Sequence, residues 1–272
     1  MSSATLAKAL APPIVLDLFR RWSGRTLRFA GAPASWQEAV RVSAGYGAPD
    51  ILSRVVEATR AVVAGTAPFE RDSILFDEPE YPFAVLAALC RAAGATGRLT
   101  VVDFGGSLGS SYRQCRAFLD RLTTIRWQVV EQPAFVDAGR REFTTDELSF
   151  HGSVDDLPPA VDPTLVLASS ALQYLEDPYA HLAAFTRSAA AHLVIDRTPM
   201  LDGTTDRLCI QHVPRHIYPA SYPCRLLSRA SLIEHLQADW RLLCDFGCAE
   251  GRRATDDGLS FEYRGLILER RS

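Results

Sequence analysis

The sequence predicts an α/β fold built on an open, mostly parallel sheet of seven strands with helices on both faces. Three observations predict it. From about residue 98 onward, short apolar and β-branched runs alternate with helically spaced ones, the signature of strands joined by crossover helices. The first of those runs ends in Asp103-Phe104-Gly105-Gly106-Ser107-Leu108-Gly109, a glycine loop between a strand and a helix that lets the backbone turn tightly and pass close to a ligand. With 272 residues and 47% hydrophobic content, the chain can bury a core large enough for such a sheet.

The elements follow in order. Residues 1–97 read as an N-terminal helical extension. Apolar residues at Ile51, Val55, Val56, Val62 and Val63 recur at helical spacing over 50–63, with Asp50 as N-cap, and a second helix spans 82–93 until Gly94 stops it. Residues 98–272 read as the sheet domain, with strands at 99–103, 126–131, 148–151, 164–169, 191–195, 240–246 and 260–268. Helices are expected at 108–121, 134–143, 178–190 and 228–238. A turn at Asp256-Asp257-Gly258 joins the last two strands. The segment 196–227 reads as a long loop, and its mixture of prolines and aromatic residues suits a binding wall better than simple disorder.

In an open parallel sheet, ligands collect at the carboxyl ends of the strands. Glu131 ends the second strand roughly twenty residues past the loop, where a carboxylate meets a ribose hydroxyl pair, so an adenosine-bearing cofactor is expected. A dinucleotide fingerprint ending at Gly109 would need glycine at Phe104, which demotes NAD and with it an NAD-dependent oxidoreductase. The triplet Asp103-Phe104-Gly105 also spells a kinase metal-binding signature, but no His-Arg-Asp or Ala-Pro-Glu follows it. After the third strand, the stretch His151-Gly152-Ser153-Val154-Asp155-Asp156-Leu157-Pro158 resembles the segment that frames adenine in many methyltransferases, with a helix-capping acidic turn as the alternative.

Cofactor contacts are therefore expected from Asp103, Gly105, Gly106, Ser107, Gly109, Tyr112, Glu131, Gln132, Ser153, Val154 and Ser169. On the acceptor side, Asp196 follows the fifth strand beside Arg197; the pair is either a catalytic base with its neighbour or an ion pair closing a turn. His212 and His216 are further candidate bases because imidazole titrates near neutrality. Arg71, Gln173, Tyr174, Arg197, Tyr218 and Tyr222 are the candidate acceptor contacts, and Arg71 would suit an anionic acceptor, with Glu70 or Asp72 as reserve bases.

Composition excludes several classes. The net charge of −3 provides no basic field for a phosphate backbone, so nucleic acid is not an expected partner. Six cysteines without a Cys-x-x-Cys pair, and no charged-then-apolar leader, suit reduced thiols in a cytoplasmic protein, monomeric or homodimeric. Cys244 and Cys248 lack further ligands nearby, so no metal is expected. No apolar run reaches the ~20 residues of a membrane span. The stretch Ile14 to Trp22 is amphipathic enough for surface contact, and equally for packing on its own domain.

Counted from Asp103, the loop resembles the Asp-x-Gly-x-Gly-x-Gly pattern of methyltransferases that bind S-adenosylmethionine, with Gly105 and Gly109 outermost and Ser107 in the middle. Over nearly its whole length the chain resembles an uncharacterised family of predicted class I methyltransferases often associated with bacterial polysaccharide and secondary-metabolite genes. The strings that carry the resemblance include Ala34-Ser35-Trp36-Gln37-Glu38-Ala39, Phe69-Glu70-Arg71-Asp72-Ser73, the glycine loop, Val130-Glu131-Gln132-Pro133, Leu172-Gln173-Tyr174-Leu175, Asp196-Arg197-Thr198-Pro199 and Gln211-His212-Val213-Pro214. The resemblance implies a Rossmann-like class I fold, S-adenosylmethionine as cofactor and a small-molecule acceptor, with a non-catalytic cofactor-binding module as the competing function.

Overall fold

A computed structural model of the chain describes residues 27–43, 49–71, 73–214 and 220–271. The expected Asp50 cap, Asp72, His216, Tyr218 and the amphipathic stretch 14–22 lie outside what is described of side chains or backbone. Among the described residues no helix is long and apolar enough to cross a membrane.

The chain divides into two compact units. The larger comprises 47–207, 225–253 and 260–272. Its central strands are β4 (Arg98–Phe104), β5 (Thr124–Val130), β6 (Leu148–His151), β7 (Leu165–Ser169), β8 (His192–Leu201), β11 (Trp240–Ala254) and β12 (Ser260–Arg270). Their order across the sheet is β6-β5-β4-β7-β8-β12-β11. The first five run parallel, and β12 is antiparallel to β8, with Leu266 opposite Ile195. Order and polarity define the class I methyltransferase sheet, with its last strand inserted antiparallel. All seven predicted strands are present.

Burial explains why these strands hold. Leu165 to Ala168 and His192 to Asp196 are each continuously buried, as expected of strands covered on both faces. Helices α2 (Pro49–Val63), α3 (Phe83–Ala93), α4 (Ser110–Arg116), α5 (Pro133–Glu142), α6 (Pro178–Arg187) and α7 (Arg229–Leu236) belong to the same unit. Asp177 caps α6 by accepting from Ala180 N at 3.0 Å, and Pro178 occupies the first turn, where no amide is needed. Phe185, Leu172, Trp240 and Leu266 meet in one core cluster.

Several expectations change. Helix α4 starts after Gly109, at φ 89°, and stops at Arg116, well short of 121, because the chain turns through Cys115 to Leu122. Residues read as purely helical or irregular contain the short pair β2 (Phe69–Arg71) and β3 (Ile74–Phe76), and three residues per strand leave no period to read. Helices α2 and α3, placed by sequence in an extension ending at 97, group by their contacts with the sheet. The expected loop 196–227 is largely strand: β8 runs on to Leu201, where Leu227 of β10 (Ser221–Ser228) pairs with Met200 in parallel, and β9 (Arg207–His212) comes between them in sequence. β11 continues to Ala254 rather than stopping at 246.

The smaller unit comprises 1–46, 208–224 and 254–259. Its strand β1 (Arg28–Ala30) pairs antiparallel with β9, placing Arg28 opposite His212. Helix α1 (Trp36–Val42) is capped at its start: Ser35 Oγ accepts from Glu38 N at 3.1 Å, and Glu38 Oε2 reaches past the cap to accept from Ala34 N at 2.7 Å.

Candidate functional site

The carboxyl ends of β4, β5, β7 and β8 gather most of the expected cofactor residues of the larger unit. Gly105 takes φ 73°, and a Cβ there would stand 2.7 Å from the Ala171 methyl group, so the position admits only glycine. Its amide donates to Val130 O at 2.9 Å, drawing the loop across β5. A Cβ on Gly106 would lie 2.5 Å from the Asp103 carboxylate beneath it. The loop is thus a cradle of bare backbone.

Glu131 is held against that cradle. One carboxylate oxygen accepts from Ser107 N at 3.3 Å and the other from Gln132 N at 2.7 Å. Burial raises its pKa, and the two backbone amides oppose the rise. Ser107 takes φ 54°, a strained left-handed conformation, to present that amide. Asp103 is fully buried; Oδ2 accepts from Trp127 Nε1 at 2.8 Å, while Oδ1 has no partner. Burial pushes its carboxyl up to about 7, against the Trp127 hydrogen bond.

Two further left-handed residues, Ser170 at φ 54° and Arg197 at φ 47°, sit at the ends of β7 and within β8. Ser170 N donates to Asp196 O at 2.9 Å. In the β8–β12 ladder, Ile195 pairs with Leu266 and Thr198 with Arg264, so Asp196 and Arg197 together oppose Gly265 alone. That is a β-bulge, which re-aims side chains where it occurs. Gly265 is required there because a Cβ would fall inside the Phe246 ring, 2.1 Å from its nearest atom.

The bulge delivers Asp196 into a hydrogen-bonded set. Oδ2 accepts from Ser169 Oγ at 2.8 Å, and Oδ1 accepts from the Cys248 thiol at 3.6 Å. Arg197 Nε donates to Ser169 Oγ at 3.3 Å and lies 4.0 Å from Asp196 Oδ2, so the expected ion pair is a shared contact through serine rather than a closed bridge. Burial and the Asp196 charge hold the Cys248 thiol well above its ordinary range. Gln173 is completely buried beside this set, donating to Ser170 Oγ at 2.9 Å with Oε1 unpartnered. Tyr174 follows it, half-buried, in the same short helical turn.

Other expected residues are committed differently. The Tyr112 hydroxyl donates to Glu147 Oε2 at 2.7 Å, before β6 begins and so at the amino end of the sheet. Ser153 caps the turn Val154–Asp156 by accepting from Asp156 N at 3.2 Å, and Val154 packs on the core. Arg71 pairs with Glu80 at 2.9 Å and lies over the Phe69 and Phe76 rings. Glu70 accepts from Ser110 Oγ at the start of α4. In the smaller unit, Tyr222 accepts from Gln211 Nε2 at 3.2 Å. His212 ends β9, where burial and then Arg28 lower its pKa.

Sequence reasoning missed Trp127, Cys248 and Glu250. Trp127 was visible as a strand residue of inward parity two positions before Val129. Cys248 and Glu250 were hidden because the strand was read to end at 246, before Gly247.

No family model matches the chain, and no curated protein sequence matches it. Among solved structures it is similar to CalS10, an amino pentose methyltransferase from Micromonospora echinaspora, at 13% identity and TM-score 0.44 over 70% of this chain and 89% of that one. It is also similar to 1,6-didemethyltoxoflavin-N1-methyltransferase of Burkholderia thailandensis, at 16% identity and TM-score 0.41 over 85% and 94%. A third is the CcbJ methyltransferase of Streptomyces caelestis, at 15% and 0.44 over 70% and 90%. At such identities the likeness is one of fold, and the strand order given above carries the assignment.

Proposed function

We propose that the chain is an S-adenosylmethionine-dependent methyltransferase acting on an oxygen or nitrogen of a small molecule, a sugar or a secondary-metabolite intermediate. The observation that carries the reading is the bare glycine cradle with Glu131 fixed against it by Ser107 and Gln132 amides. Each Glu131 carboxylate oxygen keeps a further lone pair for a ribose hydroxyl beside a loop that carries no side chain at Gly105 and Gly106, so the residues fit this cofactor. When bound, it supplies an electrophilic methyl group on a sulfonium.

The chain's own part is alignment and proton handling. In-line displacement gains most from holding the reacting atoms in register, worth ~7–11 kcal/mol in favourable cases. Asp196, whose carboxylate oxygens accept from Ser169 and Cys248, would take a proton from the acceptor's oxygen or nitrogen. No step is assigned to His212 or Tyr222, which belong to the other unit. Against NAD stands Phe104, whose ring packs on Phe185 at 5.1 Å and His181 at 5.3 Å in the place where a dinucleotide site needs glycine.

Thermal unfolding with S-adenosylhomocysteine tests the reading. Stabilisation of roughly 2.7 kcal/mol is expected at a hundred times the dissociation constant. Stabilisation by NAD and none by S-adenosylhomocysteine would overturn it, and cofactor binding without turnover of any acceptor would favour the non-catalytic module.

A further inference from the structure

Among the described residues, five carboxylates of the larger unit each face two arginines; at Glu262 both approach Oε2, Arg264 Nη1 donating at 3.0 Å and Arg252 Nη2 standing off at 3.8 Å. Glu142 gives one oxygen to Arg60 and the other to Arg141; Asp245 divides its oxygens between Arg264 and Arg229, and Glu269 between Arg91 and Arg241. In all three every oxygen is hydrogen-bonded. Glu250 is different. Arg71 Nη1 and Arg197 Nη1 approach the same oxygen, Oε1, at 3.6 and 3.7 Å, beyond hydrogen-bond range, while Oε2 is buried without a partner. A buried acceptor left unmatched costs stability unless something else supplies its donor.

Glu250 stands on β11, joined through Arg197 to Ser169 and Asp196 at the ligand edge. A second orphan lies at the same edge, the Gln173 Oε1 beside Ser170. Both unmatched groups are acceptors. The neighbouring guanidiniums are already engaged, Arg71 by Glu80 and Arg197 by Ser169, so the edge offers lone pairs rather than an anion receptor.

We propose that Glu250 Oε2 is an acceptor-binding group and that the small molecule methylated here presents O–H or N–H donors to it, making the substrate a polyol or an amine rather than a carboxylate or phosphate. This rests on the methyltransferase reading, and it reverses the expectation that Arg71 receives an anion. Carboxylate and ligand donor then form the charge-assisted bond that the free protein lacks.

The test compares Glu250→Gln and Asp245→Asn with the parent chain. If Glu250 is kept for a ligand, Glu250→Gln melts within about 1 °C of the parent, whereas Asp245→Asn, losing a fully bonded carboxylate, melts about 2 °C or more lower. Each protein, saturated with S-adenosylhomocysteine, is then titrated with glucose, glucosamine and glucuronate, and with tyrosol, tyramine and 4-hydroxyphenylacetate. A melting shift from an alcohol or amine that weakens at least tenfold in apparent affinity in Glu250→Gln supports the proposal. Shifts from the acids alone, shifts that survive Glu250→Gln, or a fall in its melting temperature to match Asp245→Asn overturn it. If no compound shifts the parent, the comparison of melting temperatures decides. Failure of S-adenosylhomocysteine itself to bind would instead strike the methyltransferase reading.

Discussion

Asp245 and Asp196 are both carboxylates on neighbouring parts of one sheet, and their surroundings divide the molecule into two kinds of region. Asp245 on β11 is closed, each oxygen bonded to an arginine from a different element, Arg264 on β12 and Arg229 on α7. Asp196 and its neighbours at the strand ends are open: a serine and a thiol in place of guanidinium forks, a bulge, three left-handed non-glycine residues, and orphan oxygens on Asp103, Gln173 and Glu250. Asp245 is matched by cations and Asp196 by neutral donors, while the buried acceptors without partners at this edge belong to Asp103, Gln173 and Glu250. Among the described residues, three of the four left-handed non-glycine residues lie at this edge, and strain gathered in one place points to function.

The sharpest way to break this contrast is to fill the open edge. Gly105→Val forces a side chain into Ala171 at a residue with φ 73°. It should abolish the stabilisation by S-adenosylhomocysteine, a loss of about 100-fold or more in affinity, read by calorimetric titration. A variant that still binds would mean the loop is not the cofactor cradle.

Next in size is the pH response of Asp103, a buried group of the open edge. Its folded carboxyl is raised from 3.8 to about 7. Between those values the folded state holds a proton that the unfolded chain has released. The group's stabilisation is therefore complete below about pH 4 and is lost as pH rises through 7, at about 1.4 kcal/mol per pH unit in between. Urea unfolding of the unliganded protein at pH 5, 6 and 7 should show the parent losing stability relative to Asp103→Asn. A constant difference would remove Asp103 from the list of unmatched buried acids.

The sheet was legible because parallel strands buried on both faces write continuous apolar runs, as at Leu165–Ala168 and Leu193–Ile195, and because Asp103 to Gly109 breaks the pattern with glycine. Strands β1, β2 and β3 were not, since three residues carry no period and their pairing is set by distant partners. The bulge at Asp196–Arg197 was equally hidden: it depends on Gly265, far along the chain, being unable to carry a Cβ under Phe246. Asp103 and Glu131 could be named from local sequence because a loop and the two strands beside it are local. Cys248 and Glu250 reach the site only through the antiparallel return of β12.

Turnover separates the two regions with a smaller but direct effect. Asp196→Ala should leave S-adenosylhomocysteine affinity within about twofold and lower turnover ~100-fold if it is the base, since general-base catalysis contributes 10²–10⁴. Full turnover in that variant would leave alignment alone as the source of rate.

The smallest effect is expected at Glu131, and it tests whether an open-edge carboxylate already bonded to backbone still acts on a ligand. Its two oxygens accept from Ser107 N and Gln132 N, so a purely structural Glu131 would be needed to hold the strained loop. Glu131→Gln keeps one oxygen for those amides, removes the charge, and turns the second oxygen into a donor. If the carboxylate takes ribose hydroxyls, cofactor affinity should fall by about 1–3 kcal/mol, the scale of a lost charge-assisted bond, while the melting temperature of the unliganded protein holds steady. Affinity and stability falling together would instead make Glu131 a loop anchor, closed in the same sense as Asp245. Because burial raises its pKa, removing the charge relieves a desolvation cost, so a stabilised unliganded protein that binds cofactor more weakly is the outcome that most clearly places Glu131 with the open edge.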